Sequence, residues 1–368
     1  MLTDTTGLSA AACMEDALTL RATPFGHSVE WSDLGIRDDG DLLAALPPRL
    51  PFETSGTTGE PVVWWRTREQ LVREARHIAD LLAAEPADLF VVHAPLRHLY
   101  GLLFGCLVPA LLGRRAHYAR PVDPLPRGAH RPLYVAVPST WWQLRRSLRE
   151  LRGYERLTVA HSTAPLPDAA VAVRRAVPRL ALLEVHGSTE TGMVGTRADG
   201  RWDFALAPDV TFAARREVSV AAPSPVPLAV RSPRIAVRTE GPPAPEHVLD
   251  DLVTVTGPRT YRLAGRRGGL IKINGRRAGL ADIEAVLRGS VPGADLRCVA
   301  VPDPVRGEWY EVLVDGTERE RRTVAAAALR ALPAWQAPRA VRLRASGASI
   351  PVRLPSTSTS TSTEENDS

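Results

Sequence analysis

The chain has 368 residues, 44% of them hydrophobic, which is enough to bury a large core, and its length suggests about two domains. Its three cysteines are odd in number and widely scattered, which argues against a disulfide framework or a zinc site and for a reducing compartment. The formal charge of +5 would suit an acidic partner, but acidic and basic residues alternate and no basic stripe carries interleaved aromatic residues, so the sequence predicts no nucleic-acid partner.

The N-terminus has neither a basic start nor a long apolar run, so we expect no signal peptide and a cytoplasmic protein. The most apolar segment, Leu99 to Gly113, is shorter than the roughly 20 residues that span a bilayer, and it contains Pro109. We therefore predict a buried helix in this segment and no transmembrane segment.

Helical and strand patterns alternate between residues 68 and 187. Leu71, Ala75, Ile78 and Leu82 recur at helical spacing, and a buried strand pattern follows them. The predicted helices are 68–85, 99–113, 140–151 and 168–177. The predicted strands are 88–96, 132–138, 156–162 and 180–187. This alternation predicts an α/β fold with a mostly parallel sheet flanked by helices, and ligands beyond the carboxyl ends of the strands.

The pattern changes after Arg201, where short alternating runs are separated by prolines, typical of a small antiparallel or barrel-like section. From Ile271 the sequence predicts a small α+β unit with helices at 279–289 and near 323–332 and strands at 296–303 and 308–314. The chain ends in a Ser/Thr repeat that is too polar to order itself. We predict a large N-terminal domain at 1–268, a small C-terminal domain at 269–354 and a disordered tail at 355–368.

A run of hydroxyl residues and glycines, TSGTTGEP, extends from Thr54 to Pro61. Backbone amides and hydroxyl donors in such a run can surround phosphate oxygens. It is not a Walker A loop, because no Gly-Lys-Ser/Thr follows it and no strand clearly precedes it. A polar surface loop is the alternative interpretation of this run alone.

A second cluster, EVHGSTETG, follows the predicted strand that ends near Gly187. Ser188 and Thr189 could donate hydrogen bonds to a phosphate, and Glu190 could hold a Mg²⁺ ion that neutralises a polyphosphate. A capped turn before a helix is the alternative interpretation.

A third cluster lies near the end of the predicted large domain. Asp251 could bind a ribose diol and Arg266 a ribose or a phosphate, although such aspartates are commonly turn formers. Lys272, close by, is the only lysine in a chain that has 46 basic residues. A compact ammonium can approach two converging anions, whereas a guanidinium fork suits bidentate partners. We predict that Lys272 is catalytic, with an accident of codon usage as the alternative.

Taken in this order, the motifs resemble those of the adenylate-forming superfamily, which includes acyl-CoA synthetases, aryl-acid ligases and peptide-synthetase adenylation domains. Ser55–Pro61 resembles the family's phosphate loop, and Pro95–Gly101 resembles its acid-pocket motif Pro-x-x-His-x-x-Gly. Thr163–Pro165 is similar to its Gly-Ala-Pro strand end. His186–Glu190 is similar to its Tyr-Gly-x-Thr-Glu motif, and Asp250–Asp251 to its Thr-Gly-Asp motif. The resemblance covers most of the chain, from Phe52 to Pro351.

The resemblance implies a two-step ligase that uses ATP and Mg²⁺. A carboxylate would attack the α-phosphate of ATP to give an acyl adenylate and pyrophosphate, and a thiol would then take the acyl group. The compact scaffold is most similar to aryl-acid ligases of xanthomonadin and aryl-polyene pigment pathways, which implies 4-hydroxybenzoate or a similar acid as substrate and an acyl carrier protein as acceptor. An aryl- or fatty-acid:CoA ligase and a catalytically degenerate nucleotide-binding relative are the alternatives.

The resemblance also assigns residues to roles. The implied catalytic residues are Lys272, Glu190 and Thr189, with Glu190 holding Mg²⁺. The implied ATP site comprises Thr54, Ser55, Gly56, Thr57, Thr58, Gly59, Thr163, Ala164, Pro165, Gly187, Ser188, Thr189, Asp251 and Arg266. The implied acid pocket comprises His98, His186, Gly187 and Met193, although His98 alternatively caps the buried helix.

Two departures from the family pattern bear on the mechanism. The phosphate loop lies close to the N-terminus, so we expect much of the family's usual N-terminal subdomain to be missing. The C-terminal Gly-Lys that bridges the carboxylate and the α-phosphate is also missing, which leaves Lys272 and Arg353 as candidate replacements. In the family the small domain swings about a hinge, which here falls at Gly268 and Gly269.

Overall fold

The computed structural model describes residues 9–19, 23–55, 61–84, 86–162, 166–198, 201–213, 225–238, 244–266, 269–273, 276–303 and 307–344. The α-helices α1 to α10 span Ala10–Leu18, Asp39–Ala45, Arg68–Leu82, Leu99–Leu102, Val108–Leu112, Thr140–Arg146, Leu148–Leu151, Asp168–Ala176, Leu280–Ser290 and Glu318–Ala331. A π-helical turn, Leu103–Leu107, joins α4 to α5, and short 3-10 helices span Trp31–Leu34 and Ala334–Gln336.

The strands β1 to β19 span Ser28–Glu30, Arg49–Ser55, Pro61–Thr67, Leu89–Val92, Arg115–Tyr118, Pro132–Ala136, Leu157–His161, Leu180–Ser188, Gly192–Ala198, Phe204–Leu206, Thr211–Phe212, Val226–Arg231, His247–Gly257, Thr260–Arg266, Leu270–Ile273, Arg276–Gly279, Asp295–Asp303, Gly307–Asp315 and Ala340–Leu343. Within the described residues, twelve of them form one sheet in the order β1-β5-β4-β6-β7-β8-β9-β10-β14-β13-β12-β11.

The central part of this sheet is parallel. The strands β5, β4, β6, β7 and β8 pair in parallel, and helices connect or cover them. This arrangement confirms the predicted α/β fold class with a mostly parallel core. The antiparallel section predicted after Arg201 is present, and its strands extend the same sheet from β9 onward. The carboxyl ends of β4, β6, β7 and β8 therefore lie side by side along one edge.

A strand precedes the TSGTTGEP run, contrary to the sequence analysis. The strand β2 ends at Ser55 and pairs with β3 in an antiparallel hairpin that brackets residues 56–60. The strand was missed because its sequence, RLPFETS, has no continuous apolar run and contains Pro51, which suits a short two-stranded hairpin. The missing Gly-Lys-Ser/Thr remains sufficient to exclude a Walker A loop.

The apolar segment that begins at Leu99 is a buried helix, as predicted. It runs through α4, the π-helical turn and α5, and it packs in the same core as α3. Among the described residues, no helix combines the length and the apolar character needed to cross a bilayer. Gly101 allows α4 to approach the chain before it, because a Cβ there would overlap the carbonyl oxygen of Pro95.

The residues that follow Gly269 build a second, smaller sheet. It has the order β16-β15-β18-β17, and β19 pairs in parallel with β18. The helices α9 and α10 cover it, and residues such as Ile283, Leu287 and Tyr310 form a core of its own. The predicted helices and strands of this region are therefore confirmed, while the domain boundary at residue 268 stays a prediction.

We expect Gly101→Ala to lower the free energy of unfolding by about 1–3 kcal/mol, because the new methyl group would force α4 away from Pro95. Gly289→Ala in α9 is the matched control, since a Cβ there meets nothing within 4 Å. This control should gain up to about 1 kcal/mol from helix propensity. Urea unfolding curves measure both, and equal midpoints would show that α4 can shift at no cost.

Candidate active site

A cavity of about 370 Å³ opens at the carboxyl ends of the parallel strands. Its lining comes from the segments that follow β4, β6 and β7, from the end of β8 and its turn, and from α3. Ile78, Leu103 and Phe104 contribute apolar wall, and Tyr100 stands among them with its hydroxyl donating to Ala160 O at 2.7 Å. The size and the mixed lining are typical of a small-molecule site.

Five residues assigned to the site in the sequence analysis line this cavity together. They are His98, Gly187, Ser188, Thr189 and Met193. A Cβ at Gly187 would overlap the carbonyl oxygen of Gly192, so the two ends of the β8–β9 turn can approach only because residue 187 is a glycine. The turn thus forms one rim of the cavity.

His98 occupies the N-cap position of α4, but among the described residues its side chain makes no capping hydrogen bond. The ring instead lines the mouth of the cavity. Desolvation of the ring and the neighbouring charge of Arg97 lower the pKa of the imidazole. A neutral imidazole at the mouth can donate or accept one hydrogen bond with a bound ligand.

His186 does not line this cavity, which differs from the acid-pocket role assigned to it. Consecutive side chains of a strand point to opposite faces, and its neighbours Val185 and Gly187 both line the cavity. The His186 ring lies on the other face, with Nδ1 2.7 Å from the hydroxyl of Tyr261 and Nε2 3.6 Å from the Asp251 carboxylate.

Asp251 and Arg266, both assigned to the ribose or phosphates of a nucleotide, form an ion pair. Their atoms Oδ1 and Nε are 3.0 Å apart across the β13–β14 hairpin. Arg266 also reaches Glu308 of β18, with 3.4 Å between Nη1 and Oε2. A chain of polar side chains therefore runs from His186 on the large sheet to Glu308 on the smaller one.

The β8–β9 turn carries Ser188, Thr189 and Glu190. The Ser188 and Thr191 hydroxyls are 3.1 Å apart, and Thr191 N–H donates to Ser188 Oγ at 3.3 Å, which closes the turn. Glu190 is almost fully buried, with 3% exposure, and Ala236 N–H donates to its backbone carbonyl at 2.8 Å. The turn is therefore held by its own side chains and by the segment before β13.

A buried ionic cluster lies beneath this turn and was not predicted. Glu74 of α3 accepts the N–H of Met193 at 2.6 Å, and its Oε2 lies 3.3 Å from both Arg66 Nη2 and Arg234 Nη1. Arg234 is also paired with Asp209 at 2.9 Å. The side chains of Glu74 and both arginines are at most 1% exposed. The cluster fixes the turn to α3.

The electrostatics of the cluster shifts the pKa values of the two guanidinium groups in opposite directions. Burial and the neighbouring charge of Arg234 lower the pKa of Arg66, and the charges of Glu74 and Glu190 oppose that effect only in part. Burial also disfavours the charged form of Arg234, but Glu74 and Asp209 outweigh it and raise its pKa. One sequence signal pointed to the cluster: Glu74 falls on the apolar face of α3 beside Leu71, Ala75 and Ile78, where a carboxylate needs a partner.

Several assigned residues lie outside the described residues or are described only in part. Gly56, Thr57, Thr58, Gly59, Thr163, Ala164, Pro165, Gly268 and Arg353 lie outside them. Thr54 belongs to the β2–β3 hairpin, where its hydroxyl donates to Val62 O at 3.4 Å. Ser55 and Lys272 are described through their backbones, at the end of β2 and in β15, where Lys272 pairs with Arg277 of β16.

Residues 52–228, which include the cavity and its rim, match the family model described as AMP-binding enzyme. The matched segment is slightly less than half of the chain. The chain is similar to the 4-coumarate–CoA ligase of Rhodobacter capsulatus, with 29% identity over 69% of this chain and 62% of the ligase. The 4-coumarate–CoA ligase of Halorhodospira halophila is 30% identical over 61% of this chain and 58% of its own length. The chain thus spans less than two thirds of either ligase.

Two solved structures share the fold. A malonyl-CoA ligase bound to methylmalonyl-CoA and AMP aligns over 83% of this chain and 72% of its own, with a TM-score of 0.59 and 24% identity. The amide bond synthetase McbA of Marinactinospora thermotolerans aligns over 80% of this chain and 65% of its own, with a TM-score of 0.58 and 17% identity. At these identities the similarity establishes the architecture.

We expect Glu74→Ala to lower the free energy of unfolding by about 3–5 kcal/mol, because it leaves two buried guanidinium groups without their shared carboxylate. Glu246→Ala is the matched control, since that carboxylate pairs with Arg231 at the exposed surface. Chemical denaturation monitored by tryptophan fluorescence measures both. A Glu74→Ala protein as stable as the control would contradict the role given to the cluster.

Proposed function

We propose that the protein is an adenylate-forming ligase, which activates a carboxylic acid with ATP and passes the acyl group to a thiol. The observation that carries this proposal is the cavity at the carboxyl edge of the parallel strands, rimmed by Gly187 to Thr189, within the segment that matches the AMP-binding family. An acid held there would present its carboxylate to a nucleotide on the far side of the same turn.

The proposed reaction has two steps. A carboxylate oxygen of the acid attacks the α-phosphorus of ATP, the bond to the β-phosphate oxygen breaks, and an acyl adenylate and pyrophosphate form. A thiolate then attacks the acyl carbon, and AMP leaves with the electron pair of the broken carbon–oxygen bond. The protein contributes position and charge stabilisation to both steps.

The proposed ATP site takes residues from four segments of the chain. Thr54 to Gly59 would surround phosphates, Thr163 to Pro165 would border the adenine, and Ser188 with Thr189 would donate to phosphate oxygens. Asp251 and Arg266 would face the ribose. The contact between His186 and Asp251 supports a place for His186 beside the nucleotide, on the face of β8 opposite the acid.

The donor chemistry at the β8–β9 turn suits Mg²⁺. A magnesium ion that accompanies a nucleotide takes one or two carboxylates together with phosphate oxygens and waters. Among the described residues no group of three or more His, Cys, Asp or Glu gathers as a self-contained metal site. One glutamate beside two hydroxyl residues has the residue types for the smaller demand, and we propose Glu190 as the residue that would hold the ion and so neutralise phosphate charge. Its side chain is buried beside Arg66, so this role requires the turn to expose the carboxylate when a nucleotide binds.

The apolar and aromatic lining supports an aryl acid, such as 4-hydroxybenzoate, as substrate. Phe104 and Tyr100 offer ring faces, and Ile78 and Leu103 complete an apolar wall. The two ligases to which the chain is similar are named for 4-coumarate, a longer aryl acid. Pyrophosphate release measured over a panel of aryl and alkyl acids tests the proposal, and a folded protein that releases none with any acid would leave only a catalytically degenerate nucleotide-binding role.

The thiol acceptor is proposed as either CoA or the phosphopantetheine of an acyl carrier protein. The names of the two relatives favour CoA. The net positive charge predicted from sequence suits an acidic carrier protein. Thioester formation measured side by side with free CoA and with a holo carrier protein separates the two acceptors.

The unit 269–354 is proposed as a mobile lid. Gly269, at its start, has a φ of +66°, a backbone conformation that favours glycine and that permits a sharp change of direction. Lys272 follows in β15 and is proposed to pair with the carboxylate and the α-phosphate, with Arg353 as the other candidate. Rotation about the glycines would bring different lid residues to the site in the two steps.

We expect Glu190→Gln to lower pyrophosphate release by roughly 10²-fold and to raise the Mg²⁺ concentration at half-maximal rate, because the amide keeps the shape and loses the charge. Glu184→Gln is the matched control on β8, the strand that leads into this turn, where Glu184 pairs with Arg197 at 2.7 Å. A Mg²⁺ titration of the two variants and wild type measures the effect. Superimposable curves would remove Glu190 from metal binding.

Replacement of Lys272 tests the value of a single ammonium. We expect Lys272→Ala and Lys272→Arg each to lower activity by on the order of 10²-fold. Alanine removes the positive charge, and the guanidinium fork of arginine crowds two converging anions. Arg276→Ala is the control on the neighbouring strand, where the guanidinium stacks over Trp335. Pyrophosphate release and thioester formation are measured for each, with Arg353→Ala alongside. Full activity of Lys272→Arg in both assays would show that the lone lysine is accidental.

A further inference from the structure

His93 carries an unused hydrogen-bonding atom in the wall of the cavity. The residue directly follows β4, is 3% exposed and lines the cavity, while its ring meets Tyr134 edge-on at 5.7 Å. Its Nδ1 lies 3.0 Å from Thr140 Oγ1. Its Nε2 is buried and has no hydrogen-bond partner among the described residues. A buried polar atom without a partner is unfavourable unless a ligand or water completes it.

The surroundings of His93 define what Nε2 offers. The Thr140 hydroxyl already accepts the N–H of Val137 at 3.0 Å, and donating its own hydrogen to His93 Nδ1 gives both the hydroxyl hydrogen and Nδ1 a partner. The ring proton then lies on Nε2, which becomes a donor. Burial lowers the pKa of His93 to about 3, so the ring is neutral at physiological pH. A neutral donor suits an uncharged oxygen better than a second carboxylate, which would be buried without a counter-charge.

His93 also lies at the end of the cavity away from the reacting carboxylate. The rim at Thr189 follows β8, and β6 and β7 stand between β8 and β4. Three strand spacings separate the two ends by roughly 14 Å. An acid whose carboxylate faces Thr189 therefore directs the opposite end of its carbon skeleton toward His93.

We propose that His93 is a specificity-determining residue, whose Nε2–H donates to a neutral oxygen, such as a ring hydroxyl, on the end of the acid opposite its carboxylate. This inference rests on the proposed function. It adds which side chain recognises the ring oxygen of such an acid, and that the unsubstituted acid leaves the buried donor without a partner. A site that must leave a buried donor unpaired discriminates strongly against the substrate analogue that lacks the matching oxygen.

The test compares hydroxylated acids with their unsubstituted counterparts. The pairs are 4-hydroxycinnamate with cinnamate and 4-hydroxybenzoate with benzoate, measured for Kd by calorimetry without ATP and for kcat/KM by pyrophosphate release. The variants are His93→Asn, which keeps a group near Nδ1 for Thr140, and His93→Gln, which restores one near Nε2. His161→Asn is the matched control, a buried histidine on β7 whose Nδ1 accepts Trp141 Nε1–H at 3.2 Å.

We expect wild type and His161→Asn to prefer the hydroxylated member of at least one pair by about tenfold or more. His93→Asn should lose this preference through weaker binding of the hydroxylated acid alone, and His93→Gln should recover part of it. A wild-type protein without the preference overturns the inference, as does a folded His93→Asn protein that keeps it. Absence of pyrophosphate release with every acid defeats the proposed function instead, and the Kd ratios then still decide the role of His93.

Discussion

The carboxylate of Glu74 is the group on which the geometry of the site depends. It reaches from α3 to the amide of Met193 and to two guanidinium groups that themselves hold backbone carbonyls: Arg66 donates to Arg234 O, and Arg234 donates to Met193 O, each at 2.7 Å. One helix, one turn and the segment before β13 are thereby joined at a single buried point. Because unpaired charges there would be strongly unfavourable, the turn has few alternative positions.

The backbone around this cluster explains why Gly192 stands where it does. Its φ is +70°, and a Cβ at this position would overlap the Glu74 carboxylate and come within 2.8 Å of a guanidinium nitrogen. The sharp reversal from β8 to β9 and the buried ions therefore require each other. The buried ions thus position the rim of the cavity, Gly187 to Thr189. Of these ions, Glu74 is the one that lines the cavity and could contact a bound acid.

Much of the fold could be predicted from the sequence, because the longer helices and strands leave a periodic pattern of apolar residues. The parallel core from α3 to β8, apart from β5, and the small unit with α9 and α10 were predicted on that basis and are confirmed. The missed elements are short or lack an apolar run, such as β1, β5 and the β2–β3 hairpin. Their positions are set by tertiary pairing. Within the described residues β1 pairs only with β5 at the sheet edge, and its three residues hold no pattern of their own.

The site was less predictable, because spacing along the chain gives no direction for a side chain. His98 and His186 looked equivalent as pocket residues, yet strand alternation sends His186 to the opposite face of β8. One signal in the sequence does point to His93, because the residue directly follows a buried parallel strand, where ligands are expected. The Glu74 cluster joins residues more than a hundred positions apart, and only the folded chain shows that their charges balance.

The double pairing of Arg266 makes the contact between the two sheets reversible. Glu308 belongs to the smaller sheet, whereas Asp251 lies on the neighbouring strand of the same hairpin as Arg266. If the smaller sheet moves away, Arg266 keeps Asp251 at 3.0 Å and is not left as a lone cation, while Glu308 moves toward water. A separation of the two sheets would therefore leave no unpaired cation on the β13–β14 hairpin.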